Sequence, residues 1–300
     1  MTTPRPVLFS LEPHMLAHSL AQKLPCDLGE FQSRAFPDGE SYLKITTPVQ
    51  GKDCMILVDL SHPDGKFLPL VFLADTLREM GARSVGLVAP YLCYMRQDRR
   101  FVDGEAVTSR IFAGLVSEKF DWLVTVDPHL HRYHSLDEIY AIPSRVVQGA
   151  PVLSEWLSGE TDIFLVGPDA ESEQWVSSIA AISGHPYVIG EKNRLGDRQV
   201  VITLPDLGDL SAKRAVIIDD VISSGHTVLE CISALREKGV KDIDCACIHG
   251  IFVDDVDQQL VAGGLNQLVS CNTIIHESNR LDISRLLKEP MLALIGGTSA

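Results

Sequence analysis

The run from Ala215 to Thr227 constrains this chain more than any other. Ala215 to Ile218 read as a buried parallel strand. Asp219 and Asp220 stand at its carboxyl end, Ser223-Ser224-Gly225-His226-Thr227 form a small-residue turn, and Val228 to Lys238 carry an amphipathic helical pattern. A strand leading through such a turn into a helix N-terminus makes a phosphate cradle, because unpaired backbone N–H groups and the helix dipole both face the anion. Gly225 is free to take a positive φ, and Ser223, Ser224 and Thr227 add hydroxyl donors. Two carboxylates would repel a phosphate, so their expected work is to hold vicinal sugar hydroxyls or a divalent metal. Together this is the pattern of a ribose 5-phosphate site. The ordered run of strand, acid pair, turn and helix is too long and specific for a mere acidic loop.

The rest of the chain alternates short apolar runs with helical patterns. Expected strands include Val7–Leu11, Met55–Leu60, Val85–Ala89, Trp122–Asp127, Ile163–Gly167, Tyr187–Gly190 and Cys245–Phe252. Expected helices between them include Met15–Leu24, Pro69–Met80, Val107–Lys119, Leu153–Leu157, Glu173–Ser183 and Val256–Ala262. Such alternation predicts an α/β fold of mostly parallel sheets flanked by helices. Its 300 residues suffice for two domains, placed at 1–147 and 148–300 with the last residues free to return to the first. Turn chemistry at Gln148-Gly-Ala-Pro151 marks the change. A formal net charge of −14 repels a polyphosphate backbone, so nucleic acid is not an expected partner. No apolar run has the length of a membrane span and the N-terminus lacks a signal pattern, so the expected setting is cytoplasmic, with no membrane. The seven cysteines are expected to be reduced and buried, and the alternation around Cys245 and Cys247 favours core packing over a metal half-site.

Four further clusters fall at strand ends or between strands. Arg96-Gln97-Asp98-Arg99-Arg100 fits a polyphosphate clamp or a solvated basic loop equally well, and the following Val102-Asp-Gly104-Glu105 reads as a flexible lid. Asp127-Pro-His129-Leu-His131-Arg132-Tyr-His134 offers imidazoles to a metal but lacks the spacing of a zinc site, and His129 alone reads as functional, with His131 and His134 structural or peripheral. Phe36-Pro-Asp38-Gly39-Glu40 reads first as a hairpin turn, with an aromatic face and two acids suited to a base as the alternative. Lys192-Asn193-Arg194 lies in a charged, mobile loop whose cations suit a transferring phosphoryl group or simply solvent.

Taken in order along nearly the whole chain, these motifs resemble the ribose-phosphate pyrophosphokinase family. The resemblance implies two phosphoribosyltransferase-like domains and transfer of the β,γ-diphosphoryl group of ATP to ribose 5-phosphate. It implies that Phe36, Asp38 and Glu40 hold adenine, with Arg96, Gln97 and Asp98 in the rest of the ATP site. It implies His129 and Asp169 beside Mg2+, Lys192 and Arg194 as catalytic cations, and Asp169, Asp219, Asp220, Ser223, Ser224, Gly225, His226 and Thr227 around ribose 5-phosphate. It also implies a homo-oligomer.

The chain departs from the family pattern in three places. Ala170-Glu171-Ser172-Glu173 stands where the family carries two glycines, which is expected to crowd a diphosphate. Asn193 replaces a cation, and Ser223-Ser224 is nearer to phosphoribosyltransferases. An active synthetase is the leading expectation, a catalytically inactive regulatory homologue the second and a phosphoribosyltransferase the third, since a transferase has no use for the motifs of the first half.

Overall fold

The structure is a computed structural model describing residues 4–194 and 200–296, with only the backbone of Arg194 and Val200. These residues form two compact units, one of 4–148 with 284–296 and the other of 149–283.

The first unit runs β1 (Val7–Ser10), α1 (Met15–Lys23), β2 (Asp27–Leu28), β3 (Phe31–Ala35), β4 (Ser41–Ile45), β5 (Asp53–Leu57), α2 (Asp64–Glu79), β6 (Ser84–Ala89), α3 (Thr108–Lys119), β7 (Trp122–Val126) and β8 (Ser144–Val147). Its sheet is parallel throughout, in the order β2-β1-β5-β6-β7-β8. Every residue of β5, β6 and β7 is buried, as a sheet covered on both faces requires. β3 and β4 form a separate antiparallel hairpin.

The second unit contains α4 (Ala150–Trp156), β9 (Ile163–Gly167), α5 (Glu173–Ser183), β10 (Tyr187–Ile189), β11 (Glu191–Arg194), β12 (Val200–Thr203), β13 (Arg214–Ile222), α6 (His226–Glu237), β14 (Ile243–Gly250), α7 (Val256–Ala262), β15 (Gln267–Cys271) and β16 (Asn279–Leu281). Its parallel sheet has the order β10-β9-β13-β14-β15-β16, the arrangement of the first unit repeated. The final helix α8 (Ser284–Leu294) packs on α1, β7 and β8 of the first unit through a face that buries Leu287, Met291 and Leu294.

Several boundaries differ from expectation. α2 starts at Asp64, so Pro69 lies inside it rather than at its start. α4 starts at Ala150 with Pro151 in its first turn, where a missing N–H costs nothing. The short strands β2, β8, β15 and β16 had no sequence expectation. All seven cysteines are free and buried. Burial pushes the Cys245 and Cys247 thiols well up, which fits core packing.

Asp53 opens β5 with a side chain in the core. Burial alone would raise its pKa, but the Arg83 guanidinium, bonded at 2.8 Å through Nε, and the Ser84 hydroxyl at 2.7 Å outweigh it and leave the carboxyl below its ordinary value. A depressed folded pKa adds stability that is full above the unfolded value and lost as pH falls through the folded one. Asp53→Asn is therefore expected to lower stability at pH 7 by about 1–3 kcal/mol. The gap to the parent chain should close below about pH 4. Urea midpoints across that range test this, and a gap that persists in acid would contradict it.

Candidate functional site

In both sheets the chain adds one strand on one side and then continues on the other, so the order turns between β1 and β5 and between β9 and β13. Ligands of open parallel sheets settle at such a turning point, outside the carboxyl ends of the strands. In the second unit Asp169 follows β9, while Asp219 and Asp220 lie near the end of β13. β13 runs further than expected, because Val221 and Ile222 still pair with His249 and Gly250. The acid pair is therefore inside the strand rather than at its end.

Asp219 accepts the Asp220 N–H at 3.0 Å, and Asp220 accepts that of Val221 at 2.8 Å. Burial, the charge and hydrogen bond of Asp220 and the charge of Asp169 all push the Asp219 carboxyl well above the usual carboxylate range. Part of the Asp219 residue surface remains open, while Asp220 is 6% exposed.

The turn that follows is as narrow as its sequence predicts. Gly225 has φ 65°, and a Cβ there would stand 2.4 Å from Val256 Cγ2, so both conformation and space demand glycine. α6 begins at His226, which places His226 and Thr227 in its first turn rather than ahead of it. Ser224 and His226 are exposed and share an Oγ–Nδ1 hydrogen bond of 3.0 Å, while Ser223 and Thr227 are half-buried. The Ser223 carbonyl accepts the Val253 N–H at 3.1 Å.

Lys192 lies not in a loop but on β11, paired antiparallel with β12. Its Nζ reaches Asp169 Oδ2 at 3.1 Å and Thr227 Oγ1 at 3.5 Å, joining three predicted site residues. Asn193 is exposed. The Arg194 side chain lies outside the described residues.

In the 169–172 turn, Asp169 Oδ1 accepts the N–H groups of Glu171 and Ser172 at 3.1 and 3.3 Å, and the Ser172 hydroxyl donates to the Asp169 carbonyl at 2.6 Å. None of residues 170–173 has a positive φ, so this turn has no need of glycine. Ser172 is buried, and Ala170, Glu171 and Glu173 are exposed. The inward side chain is the serine rather than an acid.

In the first unit Phe36, Asp38 and Glu40 lie exposed at the tip of the β3–β4 hairpin, which confirms the turn. The Phe36 N–H donates to the Glu40 carbonyl at 2.7 Å, and Gly39 has φ 92°. Arg34 places its guanidinium 4.5 Å from the Phe36 ring centre and 4.4 Å from that of Tyr42. This residue was missed. The signal was its two-residue spacing from Phe36, together with the hairpin register that sets it opposite Tyr42.

Arg96, Arg99 and Arg100 are exposed and Gln97 is half-buried, whereas Asp98 is 4% exposed and points inward to Arg132, its Oδ1 2.7 Å from Nη1. Asp98, which the resemblance sets in the ATP site, thus faces inward rather than toward solvent. The loop after it is fastened rather than free, since the Glu105 carboxylate accepts the N–H groups of Phe101 and Val102 at 2.8 and 2.9 Å. His129 is half-buried with its ring stacked on exposed His131 at 6.3 Å, and His134 is exposed. The first sheet's own turning point holds an ion-pair cluster that the sequence did not reveal, in which Lys66 Nζ reaches Asp59 Oδ1 at 2.8 Å and Glu12 Oε2 at 2.9 Å.

Among the described residues no group of three or more His, Cys, Asp or Glu is arranged to hold a metal by itself. The oxygen donors of Asp169, Asp219 and Asp220 nevertheless suit Mg2+, which uses one or two carboxylates and completes its shell with water and substrate oxygens. The upward push on Asp219 is the strain that a cation would relieve. A raised folded pKa contributes stability below the unfolded value that is lost as pH rises through the folded one. Asp219→Asn should therefore raise the melting temperature at pH 7 in chelator by a few degrees, on the order of 1 kcal/mol. A lower melting temperature would refute the proposed crowding.

The pattern that defines the N-terminal domain of ribose phosphate pyrophosphokinase matches residues 7–119, and that of the phosphoribosyl transferase domain matches residues 135–259. The chain is 31% identical to the ribose-phosphate pyrophosphokinase of Methanopyrus kandleri, over 97% of this chain and 99% of that one. It is 30% identical to that of Methanobrevibacter smithii, over 90% and 94%. The crystal structure of phosphoribosylpyrophosphate synthetase from Mycobacterium smegmatis superposes with a TM-score of 0.82, covering 97% of this chain and 99% of that one at 24% identity, and so shares the fold. The chain belongs to the ribose-phosphate pyrophosphokinase family.

Proposed function

We propose that this chain transfers the β,γ-diphosphoryl group of ATP to the anomeric hydroxyl of ribose 5-phosphate, giving phosphoribosyl pyrophosphate and AMP. The observation that carries this reading is the cluster of side chains where the second sheet's strand order turns. There a crowded acid pair, a helix N-terminus opened by Gly225, and Lys192 bridging Asp169 and Thr227 lie about the turning point of one sheet.

The 5-phosphate is held by the N–H groups that open α6 and by Ser223, Ser224 and Thr227, with His226 steadied by Ser224. Asp219 and Asp220 accept the ribose hydroxyls, and Asp169 faces the anomeric side. Phe36 offers a ring face to adenine while Asp38 and Glu40 accept its amino hydrogens, and Arg96 and Gln97 hold the triphosphate. Asp98 keeps that loop in place rather than touching nucleotide. The anomeric hydroxyl loses its proton to water as its oxygen attacks the β-phosphorus in line, the bridge to the α-phosphate breaks and AMP leaves. Lys192 and Arg194 neutralise charge that builds on the transferring group. Asp169 with its neighbouring carboxylates, or His129, would hold Mg2+, which when bound would supply charge neutralisation of the polyphosphate.

One observation favours a second reading, an inactive homologue. Asp169 already occupies the N–H groups of Glu171 and Ser172, donors that a diphosphate would otherwise meet in that turn. AMP formation from ATP with Mg2+, measured with and without ribose 5-phosphate, separates the two. Sugar-dependent AMP matched by phosphoribosyl pyrophosphate is expected; its absence in a folded sample that binds ribose 5-phosphate would establish the inactive form. Lys192→Ala should lower turnover by about 10²–10³-fold while leaving ribose 5-phosphate affinity nearly intact. Unchanged turnover would remove Lys192 from the mechanism.

A further inference from the structure

We propose that Arg132 is a positioning residue for ATP binding by the first unit. By clamping the buried Asp98 it ties the segment of Arg96, Arg99 and Arg100 to the segment of His129. The inference rests on the proposed binding of ATP by the first unit.

The segment from Arg96 to Arg100 divides by direction. Arg96, Arg99 and Arg100 face solvent, while Gln97 and Asp98 are anchored from beneath. The Gln97 carbonyl accepts the Ser109 N–H at 3.3 Å, and its side-chain Oε1 accepts the Thr108 hydroxyl at 3.3 Å, so the opening of α3 holds one anchor. Asp98 is the other. Its carbonyl accepts the Tyr133 hydroxyl at 3.0 Å and its Oδ1 meets Arg132 at 2.7 Å. Its Oδ2 is buried with no hydrogen-bond partner among the described residues. A buried carboxylate so incompletely satisfied depends on its counter-charge, and here Arg132 supplies it.

Arg132 does more than neutralise. Its guanidinium lies 5.6 Å from the Phe101 ring centre, and that of Arg99 lies 4.6 Å from the same ring. One aromatic ring thus spaces two cations, and Asp98 offsets one of them. Arg132 and Tyr133 lie only a few residues beyond His129, between β7 and β8, so the segment that fastens Asp98 also carries that histidine. Without Arg132, Asp98 keeps an uncompensated negative charge beneath cations meant for a triphosphate.

Steady-state kinetics and binding of a non-hydrolysable ATP analogue on Arg132→Ala, Arg132→Lys, Asp98→Asn and the Arg132→Ala/Asp98→Asn pair test the inference. Arg132→Ala is expected to raise KM for ATP and weaken analogue binding by about 10- to 100-fold, the worth of a hydrogen bond to a charged group. KM for ribose 5-phosphate should stay within about twofold, since that ligand binds in the other unit. Arg132→Lys should recover part of the loss, and the double variant should bind ATP better than Arg132→Ala alone, because the stranded charge is gone. If Arg132→Ala does not fold, Arg132→Lys and Asp98→Asn carry the same readout in weaker form. Unchanged ATP affinity in the variants, equal loss for both substrates, or strictly additive effects in the cycle would overturn the role of Arg132 while leaving the proposed activity standing. Failure of the parent chain itself to bind the analogue would overturn the underlying reading, and the inference with it.

Discussion

Carboxylate crowding at the carboxyl end of the second sheet is the constraint to which the rest of that site answers. Asp169, Asp219 and Asp220 come close enough that burial, Asp220 and Asp169 together hold Asp219 well above its ordinary pKa. A domain concerned only with stability would not keep such a group, because burying like charges costs several kcal/mol unless they are compensated. Compensation comes from three sides. Lys192 reaches in from a separate ribbon, backbone N–H groups cap individual oxygens, and the N-terminus of α6 faces the same region. What remains uncompensated is the part suited to a sugar or a hard cation.

The first unit repeats the strand order and yet fills its turning point differently. There Lys66 meets Asp59 and Glu12, so the charges satisfy one another and nothing like the acid pair of β13 remains open. The same frame therefore carries different contents, and function must be argued from side chains rather than from sheet order. The proposed nucleotide residues of this unit lie elsewhere, on the β3–β4 hairpin and on the segment anchored by Asp98. In both places an arginine is braced by aromatic rings, Arg34 by Phe36 and Tyr42, and Arg99 by Phe101. Bracing of this kind limits the conformational freedom of long side chains before any ligand arrives.

Much of this was legible along the chain, where local rules operate. Gly225 was predictable because a tight entry into a helix needs a positive φ, and Val256 then makes the position exclusive. The Phe36–Glu40 turn follows from its Pro-Asp-Gly core. The inward direction of Asp98 was not legible, for the same reason that these succeeded. Within Arg-Gln-Asp-Arg-Arg every residue is polar, and direction can be assigned only by the partner, which lies 34 positions away in Arg132. Lys192 was placed in a loop because charge and a nearby glycine read as coil, whereas pairing with Val200–Thr203 makes Lys192 part of a strand.

By itself the sequence determined the alternation of strands and helices and the strand, turn and helix built around Gly225, since these depend on neighbours in the chain. Tertiary structure alone decided which charges face one another. It turned Asp98 inward, joined Lys192 to Asp169 and Thr227, and made Ser172 rather than an acid the inward side chain of its turn. Those outcomes depend on contacts between distant segments, whose distances no local pattern encodes.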